Sequence, residues 1–236
     1  MTSQLRTLLI LFVLAWCMPL DAAGKLRVQI TTGGHPYTMS FYSVFADQED
    51  LDITLNPHPS AYRRDLRKFA DVLVLFDLND VTDEAQRKNL QNFLEGGGGV
   101  VVLHHALADN WEWKWWYEEV VGGRFLMGQD GAMARSKAKN GEVLGAKPVR
   151  RHPVLEGVGP LRFDDEAYSG MWLSPKSTVL METDNPNNDK AVVWIGPWTK
   201  ARVVAIQLGH GAAAHQHPGY RKLVRNAILW AGGRLN

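Results

Sequence analysis

Residues 96–106 read GGGGVVVLHHA: four glycines, an unbroken apolar run from Val100 to Leu103, then His104 and His105. A β-branched run with no polar alternation suits a strand covered on both faces, the central position of a parallel sheet. Parallel strands bring their carboxyl ends to one edge, and open α/β sheets bind their ligands there. Histidines that end such a strand stand where chemistry is done. The glycines themselves are not a nucleotide cradle, because they precede a strand instead of opening a helix and no Gly-Lys-Ser/Thr follows.

Two more segments end the same way. LRVQITTGGH runs from Leu26 to His35, and ARVVAIQLGH runs from Ala201 to His210. Around them, Leu26–Ile30, Leu51–Leu55 and Asp71–Phe76 read as strands, with a helix expected over Met39–Ala46. Thr82 reads as the N-cap of a helix whose inner face is Leu90, Phe93 and Leu94 and whose stop is Gly96. Val179–Thr183, Ala191–Trp194 and Arg202–Gln207 are later strands. A stripe of Tyr220, Leu223, Val224, Ala227 and Ala231 closes the chain as a helix before Gly232. Residues 122–151, rich in glycine and lysine, are expected to form loops or short edge strands. The alternation predicts one α/β domain with a mostly parallel sheet.

The 236 residues are 45% hydrophobic and 22% charged, as in an ordinary globular protein. Residues 1–23 have the layout of a secretory signal peptide: Arg6, an apolar run from Leu8 to Trp16, Pro19, then Ala22 and Ala23. The remaining domain, 24–236, is therefore expected to be exported to the periplasm or beyond. Cys17 is the only cysteine, so the processed chain has no disulfide, no thiolate nucleophile and no thiolate metal ligand. A net charge of +1 with no basic stripe argues against a nucleic-acid partner. Past the leader, no segment approaches membrane-span length.

His104 and His105 are adjacent, so their side chains start on opposite faces; one can meet the ligand edge while the other packs beneath a helix. The segment RFDDEAY, residues 162–168, holds three consecutive carboxylates. If extended, it aims Asp164 and Glu166 one way and Asp165 the other. A carboxylate beside histidines can orient an imidazole, act as general base or join a metal shell. In WEWKWWY, residues 111–117, Trp113, Trp116 and Tyr117 continue with Val120 and Val121 as a helical core stripe. Trp111 and Trp115 lie off it as candidate ligand contacts. His215-Gln-His217 reads as a solvated loop before the last helix or a metal-binding tail. No Gly-x-Ser-x-Gly elbow is present.

Taken together, Gly34-His35, Gly97 to Ala106, Asp109 with the tryptophan-rich helix, His152-Pro153, Asp165-Glu166-x-Tyr168, Val192-Val-Trp194, Leu208-Gly-His210 and Ile228-Leu-Trp230-Ala231 resemble the ThuA-like (trehalose utilisation) family. That family lies in the class I glutamine amidotransferase-like superfamily. The resemblance implies a flavodoxin-like three-layer sandwich with its site at the strand carboxyl ends, and a link to disaccharide or keto-sugar metabolism. It favours His104 over His105. Pro36 follows His35 where members often carry an acidic residue. Amidotransferases of the superfamily place a cysteine on the turn after a central strand; here that turn reads Leu103-His104-His105-Ala106, so glutamine hydrolysis by that route is excluded.

The reading that follows is an exported enzyme acting on a small carbohydrate: an isomerase, lyase or hydrolase. His104, His210, Glu166 and Asp165 are the candidate acid–base residues, and His35, Trp111, Trp115 and Tyr168 the candidate substrate contacts. Three imidazoles and a carboxylate also match zinc and other divalent transition-metal shells. No two of these histidines have a tight local spacing, so the metal-dependent and metal-free versions both stand. The competing class is a non-catalytic saccharide-binding module using Trp111, Trp115 and Tyr168. Oligomeric state has no sequence signal. Processing is expected just after Ala22 or Ala23. The intact mass of protein recovered outside the cytoplasm checks this, and a mass that includes residues 1–20 would overturn it.

Overall fold

A computed structural model describes residues 24–236; the expected signal peptide lies outside the described residues. The first half of the chain supplies β1 (Leu26–Gly33), a 3₁₀ helix (Met39–Phe45), β2 (Leu51–Leu55), β3 (Val72–Asp77), helix α1 (Glu84–Glu95) and β4 (Gly99–Leu103). A π-helix (Trp115–Val121) follows. Then come β5 (Gly123–Arg124), β6 (Lys137–Pro148), β7 (Leu161–Ser169), β8 (Trp172–Leu173), β9 (Thr178–Thr183), β10 (Ala191–Ile195) and β11 (Val203–Ile206). The short helix α2 (Ala212–His215) and α3 (Pro218–Ala231) end the chain.

Nine strands form one sheet in the order β2-β1-β3-β4-β11-β10-β9-β6-β7. From β2 to β11 every pairing is parallel; from β11 onward every pairing is antiparallel. The doubly buried runs behave as their composition demands. Val72, Val74 and Phe76 point into one core with Val101, Leu103, Val204 and Ile206, roofed by the 3₁₀ helix and by Leu223, Val224, Ala227 and Ile228 of α3. Leu73, Leu75, Val100, Val102, Val203 and Ala205 point the other way, against Leu90, Phe93 and Leu94 of α1 and Trp116 and Val120 of the π-helix. This is the expected three-layer α/β sandwich.

Local details differ from the sequence reading where a side chain outcompetes propensity. The N-cap of α1 is Asp83 instead of Thr82, its carboxylate accepting from the Gln86 N–H at 2.8 Å. A charged acceptor at a helix start gains from the dipole as well as the hydrogen bond. The Trp115–Val121 segment winds with i→i+5 bonding in place of a regular α-helix, yet Trp116, Tyr117, Val120 and Val121 are its buried residues, as the stripe implied. Trp194 Nε1 donates to the Val121 carbonyl at 2.9 Å and closes that helix.

The expectation of loops or short edge strands over 122–151 is corrected. β6 is a twelve-residue strand lying between β9 and β7. Its Lys, Asn, Glu and Gly content hides it, because most of its length is open to solvent and pairing with β7 carries it. β6 meets β9 only through Ala146–Pro148, so the rest of the β6–β7 hairpin overhangs and curls back across the carboxyl edge of the parallel block.

Among the described residues no helix is long and apolar enough to cross a membrane. Leu75 is fully buried at the centre of this sandwich, whereas Met39 is 76% exposed. Leu75→Ala is expected to cost about 2–5 kcal/mol and Met39→Ala less than about 0.5 kcal/mol, measured as shifts in the denaturant midpoint.

A histidine–carboxylate centre at the carboxyl edge

β4 ends in a sharp turn. His104, its first residue past the strand, adopts φ of +50°, a left-handed conformation that side chains other than glycine rarely take. The turn swings the ring away from the face that strict alternation would give it and toward β11. There Nδ1 donates to the Gln207 carbonyl at 2.7 Å. That bond occupies Nδ1 and turns Nε2 toward the carboxyl edge.

Three groups converge on Nε2. Glu166 Oε2 lies at 3.2 Å, His210 Nδ1 at 3.1 Å and the Tyr168 hydroxyl at 3.0 Å. His210 Nδ1 is also 3.3 Å from Glu166 Oε2. Tyr168 stacks on the His104 ring with centroids 4.7 Å apart. His104 is wholly buried, the Glu166 side chain is 11% exposed and that of His210 36%. A ligand therefore meets His210 first, then the edge of Glu166, and reaches His104 only through them.

Burial on its own would raise Glu166, but hydrogen bonds from His104 and His210 outweigh it and hold the carboxyl well below the usual range. The same hydrogen bond to Glu166 raises His210 against the opposing effect of burial. Tyr168 is pushed up by burial and by the nearby Glu166 charge, so its hydroxyl stays protonated and can donate.

Asp165 and Glu166 are consecutive and point to opposite faces of β7, yet both side chains are buried, because this part of the strand is covered on both sides: Phe163 and Ala167 belong to one core and Tyr168 to the other. Glu166 faces the centre. Asp165 instead accepts from the backbone N–H of Gly209 at 2.8 Å and of His210 at 2.7 Å. It positions the loop that carries His210. Tyr220 donates its hydroxyl to the Leu208 carbonyl at 3.2 Å, and His215 Nε2 donates to the Gly209 carbonyl at 2.9 Å. Gly209 has φ of +118°, and a Cβ there would fall 2.1 Å from the Tyr220 hydroxyl, so glycine is required.

The other sequence candidates scatter. His35 is on the same edge but stacks on His105 at 4.5 Å, outside the triad. His105 packs against Phe76, and burial, with the neighbouring His104 and His35, lowers it to about 2. Trp111 remains on this edge, its backbone N–H donating to the Asp80 carboxylate just beyond β3. Trp115 does not. Its ring packs edge-on against Trp198, in the β10–β11 connection near the carboxyl end of α1, at the opposite end of the parallel strands. The tail histidines are not a solvated loop: His215 is fully buried, and His217 caps α3 by accepting from Gly219 and Tyr220.

Gln207 escaped the sequence reading, since it acts through its carbonyl, and His215, singled out as loop or metal ligand, instead holds the Gly209 carbonyl. A second buried cluster also escaped it. Asp77, at the end of β3, contacts His58 and lies close to Asp109, whose carboxyl burial and the Asp77 charge push well above its ordinary value.

The match to known families follows this architecture. The family model for ThuA, described as trehalose utilisation, covers residues 16–231. The chain belongs to the ThuA family. Among solved structures, this ThuA chain is similar to a ThuA-like protein from Parabacteroides merdae at 17% identity, with 90% of this chain and 92% of that one covered and a TM-score of 0.75. A ThuA-like protein from Bacteroides uniformis matches at 18% identity, 91% and 95% coverage and a TM-score of 0.68. A GMP synthase component from Thermoplasma acidophilum matches at 10% identity, 90% and 96% coverage and a TM-score of 0.54, which carries the amidotransferase-like fold. No curated protein matches the sequence. In this ThuA chain the left-handed turn after β4 holds His104.

Asp165→Asn replaces one acceptor with an amide donor facing two backbone N–H groups. It is expected to cost about 1–3 kcal/mol and to speed amide hydrogen exchange at Gly209 and His210 while leaving the middle of α3 protected. Unchanged exchange in that loop would refute the positioning role.

Proposed function

We propose that this ThuA chain is an exported enzyme that moves a proton on a disaccharide or keto-sugar at the Glu166–His104–His210 centre. The observation that carries the reading is the convergence of two imidazoles, an ionised carboxylate and a phenol within 3.3 Å contacts at the ligand edge of the sheet. The family description names trehalose, a disaccharide, which supports the substrate class.

His210, half-buried and hydrogen-bonded to Glu166, is the group placed to take a proton from the substrate and return it. Glu166 holds the imidazolium formed in between, as a carboxylate beside a histidine does. His104 passes the effect of Gln207 and Tyr168 to the pair. A keto-sugar suits such a centre, since a carbon next to a carbonyl needs only a base and a nearby donor to lose and regain its proton. His35 and Trp111, on the same edge, are the proposed sugar contacts.

The binding-module alternative loses its surface. Trp115 lies at the far end of the strands, and Tyr168 is 4% exposed, so the aromatics do not form one stacking platform.

The test is a screen of disaccharides and their keto forms for consumption by the wild-type chain, by Glu166→Gln and by His210→Ala. Losing one acid–base partner is expected to lower kcat by about 10²–10⁴-fold. Full activity in both variants, or no sugar consumed by the wild type, would refute the reading.

A further inference from the structure

We propose that Glu166, His104 and His210 form a binding site for a divalent first-row transition metal, with zinc or cobalt as suitable probes. The inference rests on reading this cluster as the working centre and adds a cofactor to it.

The first argument is spacing. The donor atoms His104 Nε2, His210 Nδ1 and Glu166 Oε2 stand 3.1, 3.2 and 3.3 Å from one another. Nitrogen and oxygen ligands held about 2.0–2.1 Å from a tetrahedral zinc stand about 3.3–3.4 Å apart. A proton joins two atoms along the line between them. Three near-equal separations instead favour a charge near the middle of the triangle, off all three lines.

Protonation and support point the same way. A histidine ligand uses one nitrogen and donates the other N–H to a carbonyl or carboxylate that fixes its orientation. His104 does this through Nδ1 to the Gln207 carbonyl, leaving Nε2 for the ion. His210 is held at its backbone by Asp165, whose carboxylate adds negative charge close to the site. The only ion pairs Glu166 makes among the described residues are with the two histidines, so no lysine or arginine occupies the place of a cation.

The arrangement also leaves room for chemistry. Catalytic metal sites have three protein ligands and an open position. Here the open side is that of His210, the most exposed of the three, with the Tyr168 hydroxyl beside His104 Nε2. Two imidazoles and one carboxylate suit zinc, cobalt, iron or manganese in preference to calcium or magnesium. An ion there would polarise a sugar carbonyl or hydroxyl and so acidify the neighbouring proton, and His210, committed to the ion, would then hold it in place instead of acting as the base.

The experiment uses the full chain, purified without a histidine tag and freed of metal by chelation. Co²⁺ alone is titrated while visible absorption is read, and Zn²⁺ alone is titrated by calorimetry. One ion per chain is expected, with an intense four-coordinate cobalt band. Glu166→Gln and His210→Ala should each weaken binding by at least about tenfold, while His152→Ala, a histidine remote from the centre, binds as wild type. Zinc should raise the melting temperature of the wild type and leave that of Glu166→Gln unmoved, a readout that needs only a folded variant. No cobalt band and no heat, or equal binding in both variants, would overturn the site. Sugar turnover that persists without bound metal overturns this inference alone; metal bound by the triad with no sugar turned over overturns the proposed function alone.

Discussion

Covering both faces of a parallel sheet is the constraint from which the rest of this molecule follows. Before Asp77 closes β3, β3, β4 and β11 are apolar at every position that points up and every position that points down, so neither face can carry polar chemistry. Titratable groups are left with the strand ends. His104 and His210 follow the ends of two adjacent central strands, β4 and β11, and the register Ile206↔Leu103 sets those ends side by side. Their meeting is a consequence of strand register before it is a consequence of any polar interaction.

Holding them there has a cost. His104 sits in a left-handed backbone conformation, a strain of about 1–3 kcal/mol, and its ring, with those of Tyr168 and His105, is buried. The loop from Gln207 to His210 offsets this through side chains from four different parts of the chain: His104, Asp165, His215 and Tyr220. Such over-determination keeps the imidazoles in place when a ligand arrives.

Much of the fold was legible because the strands obey simple periodicity. The runs at 71–76 and 100–103 read as central strands and are central. β6 was not legible: a half-exposed strand of lysine, asparagine and glycine has no apolar period, and its stability comes from a partner distant in sequence. At the candidate site, His104, His210 and Glu166 were visible as strand-end histidines and a carboxylate in an odd acidic run. Alternation aims Asp165 and Glu166 to opposite faces, as in the structure, but which face meets the histidines depends on how the β6–β7 hairpin lies over the sheet, which Glu166's own neighbours do not encode. Trp115 lies off the core stripe, as its spacing implies, but the end of the sheet at which it packs is set by Trp198, a partner distant in sequence. Gln207 contributes only a main-chain oxygen, and no side-chain pattern advertises that.

The overhanging β6–β7 hairpin gives the centre a property unlike that of a site built from neighbouring loops. Glu166 lies 62 residues from His104, and His104 lies 106 residues from His210. Glu166 arrives from the far end of the sheet order, so the three donors meet only after every intervening strand has docked. Anything that bridges them closes two large loops at once and has no counterpart to bind in the unfolded chain. Occupancy of the centre and completion of the sheet are therefore thermodynamically linked, and a bound ligand acts as a removable cross-link between the parallel block and its antiparallel arm.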